Sequence, residues 1–154
     1  MTFHRILAAI RSTEEPSFVY TKALELAKDQ QAKLMLYHCM ESDRSKDHPE
    51  RSLTTTQMDI DTIQDRLKSK RGGATLELAW IEGLAQDAKK QGIDTQWLVE
   101  EGGPGRRIVE LAVHWKADLI VIGRTRRFSL TDCLFGTVSD HVIHHASCSL
   151  LLIQ

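Results

Sequence analysis

The sequence predicts an α/β protein: an open, five-stranded parallel sheet with helices on both faces, in a single domain over residues 1–154. Three observations carry this. Short apolar runs alternate with longer stretches of helical periodicity, the pattern of strand–helix–strand crossovers. The apolar runs are nearly continuous, as in Leu34-Met35-Leu36-Tyr37, which suits strands covered on both sides. A chain of 154 residues can build one sizeable core, and one domain is the natural count.

The elements follow in order. Ile6–Ile10 is an apolar run that stops at Arg11-Ser12-Thr13-Glu14-Glu15, and reads as a buried first strand. Pro16 suits the first turn of a helix. Its apolar stripe is Val19, Ala23, Leu26 and Ala27, at i, i+4, i+7 and i+8. Lys33–Met40 is the second strand. Glu41–Thr56 is polar throughout and reads as a loop. Ile60, Ile63 and Leu67 indicate a helical segment, which Gly72-Gly73 should break. Leu76, Ala79, Trp80, Gly83, Leu84 and Ala88 resume a helical stripe, and Gly92 suits its end. Thr95–Val99 is the third strand. Pro104 opens a helix with Ile108, Leu111, Ala112 and Trp115 on one face. Leu119–Ile122, Thr137–Ala146 and Ser149–Ile153 read as strand, helix and strand.

Composition narrows the function. The net charge is −1, with 42% apolar and 27% charged residues, so there is no basic footprint for nucleic acid or an anionic membrane surface. The longest apolar run falls far short of the ~18 residues of a membrane span, and the N-terminal apolar stretch is too short for a signal peptide. Cys39, Cys133 and Cys148 form no Cys-x-x-Cys, which argues against a disulfide framework or a zinc knuckle. The expectation is a cytoplasmic protein with reduced thiols, read as small hydrophobes. Trp80, Trp97 and Trp115 lie in or beside apolar stripes and read as packing residues. Arg106 and Arg107 read as solvent-facing helix residues. His141 and His145 stand at i, i+4, but no third ligand is placed beside them. They read as a solvated or half-buried helix face.

The chain lacks G-x-x-x-x-G-K-[ST], G-x-G-x-x-G and G-x-S-x-G. It has Gly123-Arg124-Thr125-Arg126, nine further residues, then Gly136-Thr137-Val138-Ser139. A glycine at a strand end lets backbone approach a ligand with no Cβ between. Gly136-Thr137 at a helix start offers unpaired N–H groups and a hydroxyl, a geometry suited to phosphate. A plain loop followed by an N-cap would look the same, and spacing alone leaves both readings open.

This pattern resembles the universal stress protein family, whose nucleotide-binding members carry G-x-x-G-(nine residues)-G-[ST] at this place. VEEGGPGRRIVELA is similar to the family's strand–G-x-P–helix segment, through Gly102, Pro104, Ile108 and Ala112. KADLIVIG is similar to the strand before the loop, and VSDHVIHHASCSLLLI to the closing helix and strand. RILAAIRST and LMLYHCMES resemble the first two strands. Two positions depart: Arg126 replaces the second Gly, and Arg11-Ser12-Thr13 stands where ATP-binding members usually carry an acid.

The resemblance implies strand order 3-2-1-4-5 in an adenine nucleotide alpha hydrolase-like fold. It implies an adenine nucleotide (ATP, ADP or AMP, with or without Mg) bound by a regulatory protein of the stress response. Adenine would lie near Cys39 and Met40, with Ala9 lining the same cleft. Ribose and phosphates would lie over Gly123, Arg126, Gly136, Thr137 and Ser139. Arg11 and Arg126 would grip phosphate by guanidinium forks, or would mark a site that has lost its ligand. Catalysis would amount at most to slow ATP hydrolysis, with Asp132 the only carboxylate in the loop. The short, uncharged terminal strand Ser149–Ile153 suits antiparallel edge pairing, and family members resemble this in dimerising through the same strand, so a homodimer is expected; the near-zero net charge argues against a nucleic-acid or membrane partner. The alternative is a dimeric interaction module that binds no nucleotide.

Overall fold

The computed structural model describes residues 1–11, 17–40, 74–123 and 137–154. Their elements run β1 (Arg5–Ala9), α1 (Phe18–Gln30), β2 (Lys33–Met40), α2 (Ala74–Lys90), β3 (Thr95–Glu101), α3 (Pro104–His114), β4 (Leu119–Gly123), α4 (Thr137–His145) and β5 (Ser149–Ile153). The strands form one sheet in the order β3-β2-β1-β4-β5, with every neighbouring pair parallel. The expected class and strand order are those observed.

Side-chain alternation divides the core in two. On one face Ile6, Ala8, Leu34, Leu36, Val99 and Val121 meet Val19, Ala23 and Ala27 of α1 and Ile81, Ala85 and Ala88 of α2. On the other, Leu7, Met35, Tyr37, Leu98, Ile120 and Ile122 meet Ile108, Leu111 and Ala112 of α3 and Val142 of α4. Burial on both faces is why β2 and β4 read as continuous apolar runs. Each large side chain so buried contributes roughly 1.5–3 kcal/mol. β5 is different, since all five of its residues are only half-buried.

The helix ends follow their local chemistry. Ser17 caps α1, its Oγ accepting the Tyr20 N–H at 3.3 Å. The helix therefore starts at Phe18; Pro16, expected in its first turn, lies outside the described residues. Pro104 opens α3, where its missing N–H costs nothing. Gly92, at φ +85°, follows the end of α2 as expected. β3 runs two residues further than its apolar pattern, because Glu100 and Glu101 stay in register with Cys39 and Met40. β1 is Arg5–Ala9, although Ile10 still donates its N–H to the Tyr37 carbonyl at 2.8 Å. The expected loop at Glu41–Thr56, the helical segment near Ile60 and the break at Gly72-Gly73 lie outside the described residues.

At the strands' N-terminal end, Asp118 clamps β1. Its two carboxylate oxygens accept the His4 and Arg5 N–H groups at 2.7 and 3.0 Å. The Arg5 guanidinium lies 4.7 Å from the ring centroid of Trp115, whose indole N–H reaches Gln96 at 2.8 Å. Trp97 and Trp115 are core residues, as expected.

Candidate functional site at the C-terminal edge of the sheet

The sheet reverses its winding between β1 and β4, and open α/β sheets take ligands beyond their strand C-termini at such a point. Ala9 ends β1, in register with Tyr37 on one side and Ile122 on the other. Gly123 ends β4, and Thr137 starts α4. The Ser139 hydroxyl, only 2% exposed, donates to the Gly123 carbonyl at 3.3 Å. That bond fastens the first turn of α4 to the end of β4, with the helix's unpaired N–H groups and positive dipole end beside it. Arg11, just past β1, is exposed. Arg126, Gly136, Asp132 and Cys133 lie outside the described residues.

Packing adds detail at Gly123, Cys39 and Met40, and changes the expectation for Arg107. A Cβ on Gly123 would stand 3.1 Å from Val19 Cγ2, so the missing side chain makes room for α1. Cys39 and Met40 point to opposite faces of the sheet. Met40 is buried on the α1/α2 side, whereas Cys39 is half-buried on the α3 side. Adjacent strand residues must point to opposite faces, so a ligand meeting the Cys39 side chain meets only backbone at Met40. Arg107 is not an ordinary solvent-facing residue: it turns back across the β3–α3 corner to Glu100, Nη1 to Oε1 3.3 Å, with both side chains mostly buried. Arg106 does face solvent, and pairs with Glu110 one turn on.

Glu100 is the register partner of Cys39 and belongs to a polar cluster that sequence alone does not bring together. Burial holds its carboxyl above the ordinary carboxylate range, and the neighbouring Arg107 only partly offsets this. The Cys39 thiol is also pushed up by burial, and it donates to the Gly102 carbonyl at 3.1 Å. It is therefore a thiol rather than a nucleophilic thiolate. Gly102 turns the corner at φ +118°, which suits glycine. Beneath lies the hydroxyl of the buried Tyr37, beside Cys39 and Glu100. Burial drives this phenol far up, with Cys39 and Glu100 adding to the shift.

His38 is the second residue missed from sequence. It is a buried imidazole on the α2 side of β2, and its Nδ1 bonds the Ile10 carbonyl. An ionisable ring inside the apolar run LMLYHCM was the available signal. On α4, the His141 and His145 rings stack at 4.1 Å, and the Nδ1 groups of His144 and His145 bond carbonyls one turn back. This is the half-exposed helix face expected. Among the described residues no three His, Cys, Asp or Glu side chains form a metal-holding group, and no helix is long and apolar enough to cross a membrane.

A doubly wound parallel sheet, with a helix N-terminus fastened beside its switch point, defines an open α/β fold whose crevice lies at the strand ends. Residues 2–154 match the universal stress protein family, and the chain belongs to it. The universal stress protein Sll1388 of Synechocystis sp. is 30% identical over 161 residues, covering 100% of this chain and 99% of that protein. The solved universal stress protein UspA from Lactobacillus plantarum superposes with a TM-score of 0.70 at 20% identity, covering 100% and 99% of the two chains. A universal stress protein solved in complex with cAMP gives a TM-score of 0.64 at 17% identity, covering 100% and 98%.

Proposed function

We propose that this protein is a regulatory adenine-nucleotide binder, with its cleft at the C-terminal ends of β1, β2 and β4. One observation carries the reading: the ends of β1 and β4 and the N-terminus of α4 converge at the switch point, tied together by Ser139 and Gly123. Phosphate suits the N–H groups that open α4. From β4 across β1 to β2 is two strand spacings, about 10 Å, the reach of a nucleoside from its phosphate. That puts the base beside Cys39, and the small Ala9 side chain leaves the middle of the cleft open. The cAMP complex of the structural relative supports the same ligand class. Arg11 and Arg126 supply guanidinium groups to phosphate in place of the family's acid and glycine.

Calorimetric titration with AMP, ADP and ATP tests this. Binding at micromolar to submillimolar Kd is expected. Arg126→Gly should weaken it by about 1.5–3 kcal/mol, the worth of a charge-assisted contact. Absence of heat with all three nucleotides, at protein concentrations well above micromolar, would refute the reading. Tighter binding by the glycine variant would make Arg126 an obstruction instead.

The half-burial of every β5 residue favours a second property, a homodimer in which two β5 edges pair about a two-fold axis. Without nucleotide binding, this pairing would leave the interaction-module reading standing.

A further inference from the structure

The nucleotide reading leaves His38 without a task. The residue is 4% exposed and lies near the end of β2, one position before Cys39. Its Nδ1 is 3.0 Å from the Ile10 carbonyl oxygen. A carbonyl only accepts, so Nδ1 bears a proton. In the neutral ring Nε2 is then an acceptor. It is buried, has no hydrogen-bond partner among the described residues, and stands 3.6 Å from Glu77 Oε2 of α2. Two acceptors face each other there, and only a proton between them makes the contact attractive.

The remaining neighbours among the described residues offer no substitute. Trp80 of α2 meets the ring edge-on at 5.3 Å between centroids, and β3 presents Val99 in register. β1 contributes the Ile10 carbonyl, and Ile10 is itself bound to β2 by its N–H to the Tyr37 carbonyl at 2.8 Å. The charged Arg11 follows Ile10 directly. His38 thus grips the point where the chain leaves β1 for the mouth of the cleft.

We propose that His38 is a proton-operated positioning residue for the cleft. Nδ1–H holds the Ile10 carbonyl and with it the start of the β1–α1 connection. A proton taken up at Nε2 turns the contact with Glu77 into an ion-paired hydrogen bond between β2 and α2. The charge is shared across the ring, so the bond to Ile10 strengthens as well. Ile10 and Arg11 are then held more firmly, and nucleotide binds more tightly on the acid side. The claim on affinity rests on the nucleotide reading; the claim on the proton does not.

The test uses the intact chain. First, NMR without nucleotide follows the His38 ring, the Ile10 carbonyl and the Arg11 amide from about pH 5 to 8, where imidazoles titrate. All three should move with one midpoint. In Glu77→Gln the amide N–H can donate to Nε2, the ring stays neutral, and the movement should shrink. Second, AMP affinity is measured at both ends of that range. Wild type should bind about fivefold tighter at the acid end, a modest coupling between linked groups. His38→Asn keeps an N–H where Nδ1 was, so it should bind with no such difference. His38→Gln moves its amide to the Nε2 position and should bind weakly throughout. Glu77→Gln, altered at a partly exposed site, serves if the His38 variants do not fold. Ile10 and Arg11 signals that ignore the ring's titration would overturn the proposal. So would equal pH dependence of AMP affinity in wild type, His38→Asn and Glu77→Gln. No AMP binding at any pH would overturn the nucleotide reading and the affinity claim, while the NMR midpoints judge the proton coupling separately.

Discussion

Glu100 illustrates how much a single side chain can conceal. Its carboxyl is held above its ordinary value of 4.5 by burial, against the pull of Arg107. A group whose pKa is raised on folding stabilises the fold below its unfolded value, and that stabilisation is lost as pH rises through the folded value. Above that range the ionised Glu100 is therefore a net cost. Glu100→Gln should raise the melting temperature near neutral pH, and the gain should vanish at about pH 3, below the unfolded value, where Glu100 is uncharged both folded and unfolded. Thermal denaturation at the two pH values checks this. A lower melting temperature for the variant near neutral pH would mean that the ion pair with Arg107 outweighs burial. The pairing was not legible in the sequence. Glu100 and Arg107 are seven residues apart across a corner, a spacing that belongs to no single helix or strand face. His38 could be picked out as a ring in an apolar run, but Glu77, 39 positions away, could not be assigned to it. Gly123 was legible as a special position. What its missing side chain makes room for, Val19, depended on where α1 packs.

At the scale of elements, the β3–α3 corner decides whether Arg107 can reach back. Gly102 holds φ +118°, and a Cβ there would meet Arg107 Nε at 3.6 Å, an ordinary contact. Backbone strain, not crowding, is thus the penalty of substitution. Gly102→Ala should cost about 1–3 kcal/mol in urea denaturation. It should also loosen the Cys39–Gly102 bond, detectable as faster reaction of Cys39 with a thiol reagent. An unchanged stability would mean that the corner relaxes freely. Elements whose ends are set by their own residues were legible to the residue: β2, β5, and the start of α3 at Pro104. Where neighbours or caps set the end, the sequence was less explicit. Ser17 caps α1, which starts at Phe18. Register with β2 extends β3 through two glutamates that a hydrophobic pattern would end on.

For the whole molecule, β5, the outer strand of the sheet, is the element on which the proposed dimer depends. Leu150, Leu151, Leu152 and Ile153 are half-buried and uncharged, and among the described strands β5 pairs only with β4. Light scattering at high micromolar concentration should give a dimer. Leu151→Lys with Ile153→Lys should give a folded monomer, with circular dichroism guarding against simple unfolding. A monomeric wild type, or an undiminished dimer in the variant, would remove this interface. The order of the sheet also sets a timetable for the newborn chain. β1 is made first yet lies in the middle, between β2 and β4. Its ladder to β2 can form once residue 40 is out. Its other side, and the Asp118 carboxylate that fastens His4 and Arg5, come about 80 residues later, roughly 4–16 s at ordinary rates of synthesis. During that interval the edge of β1 that will pair with β4 lacks its partner strand, so this chain's exposure to aggregation should depend on translation speed between β2 and β4.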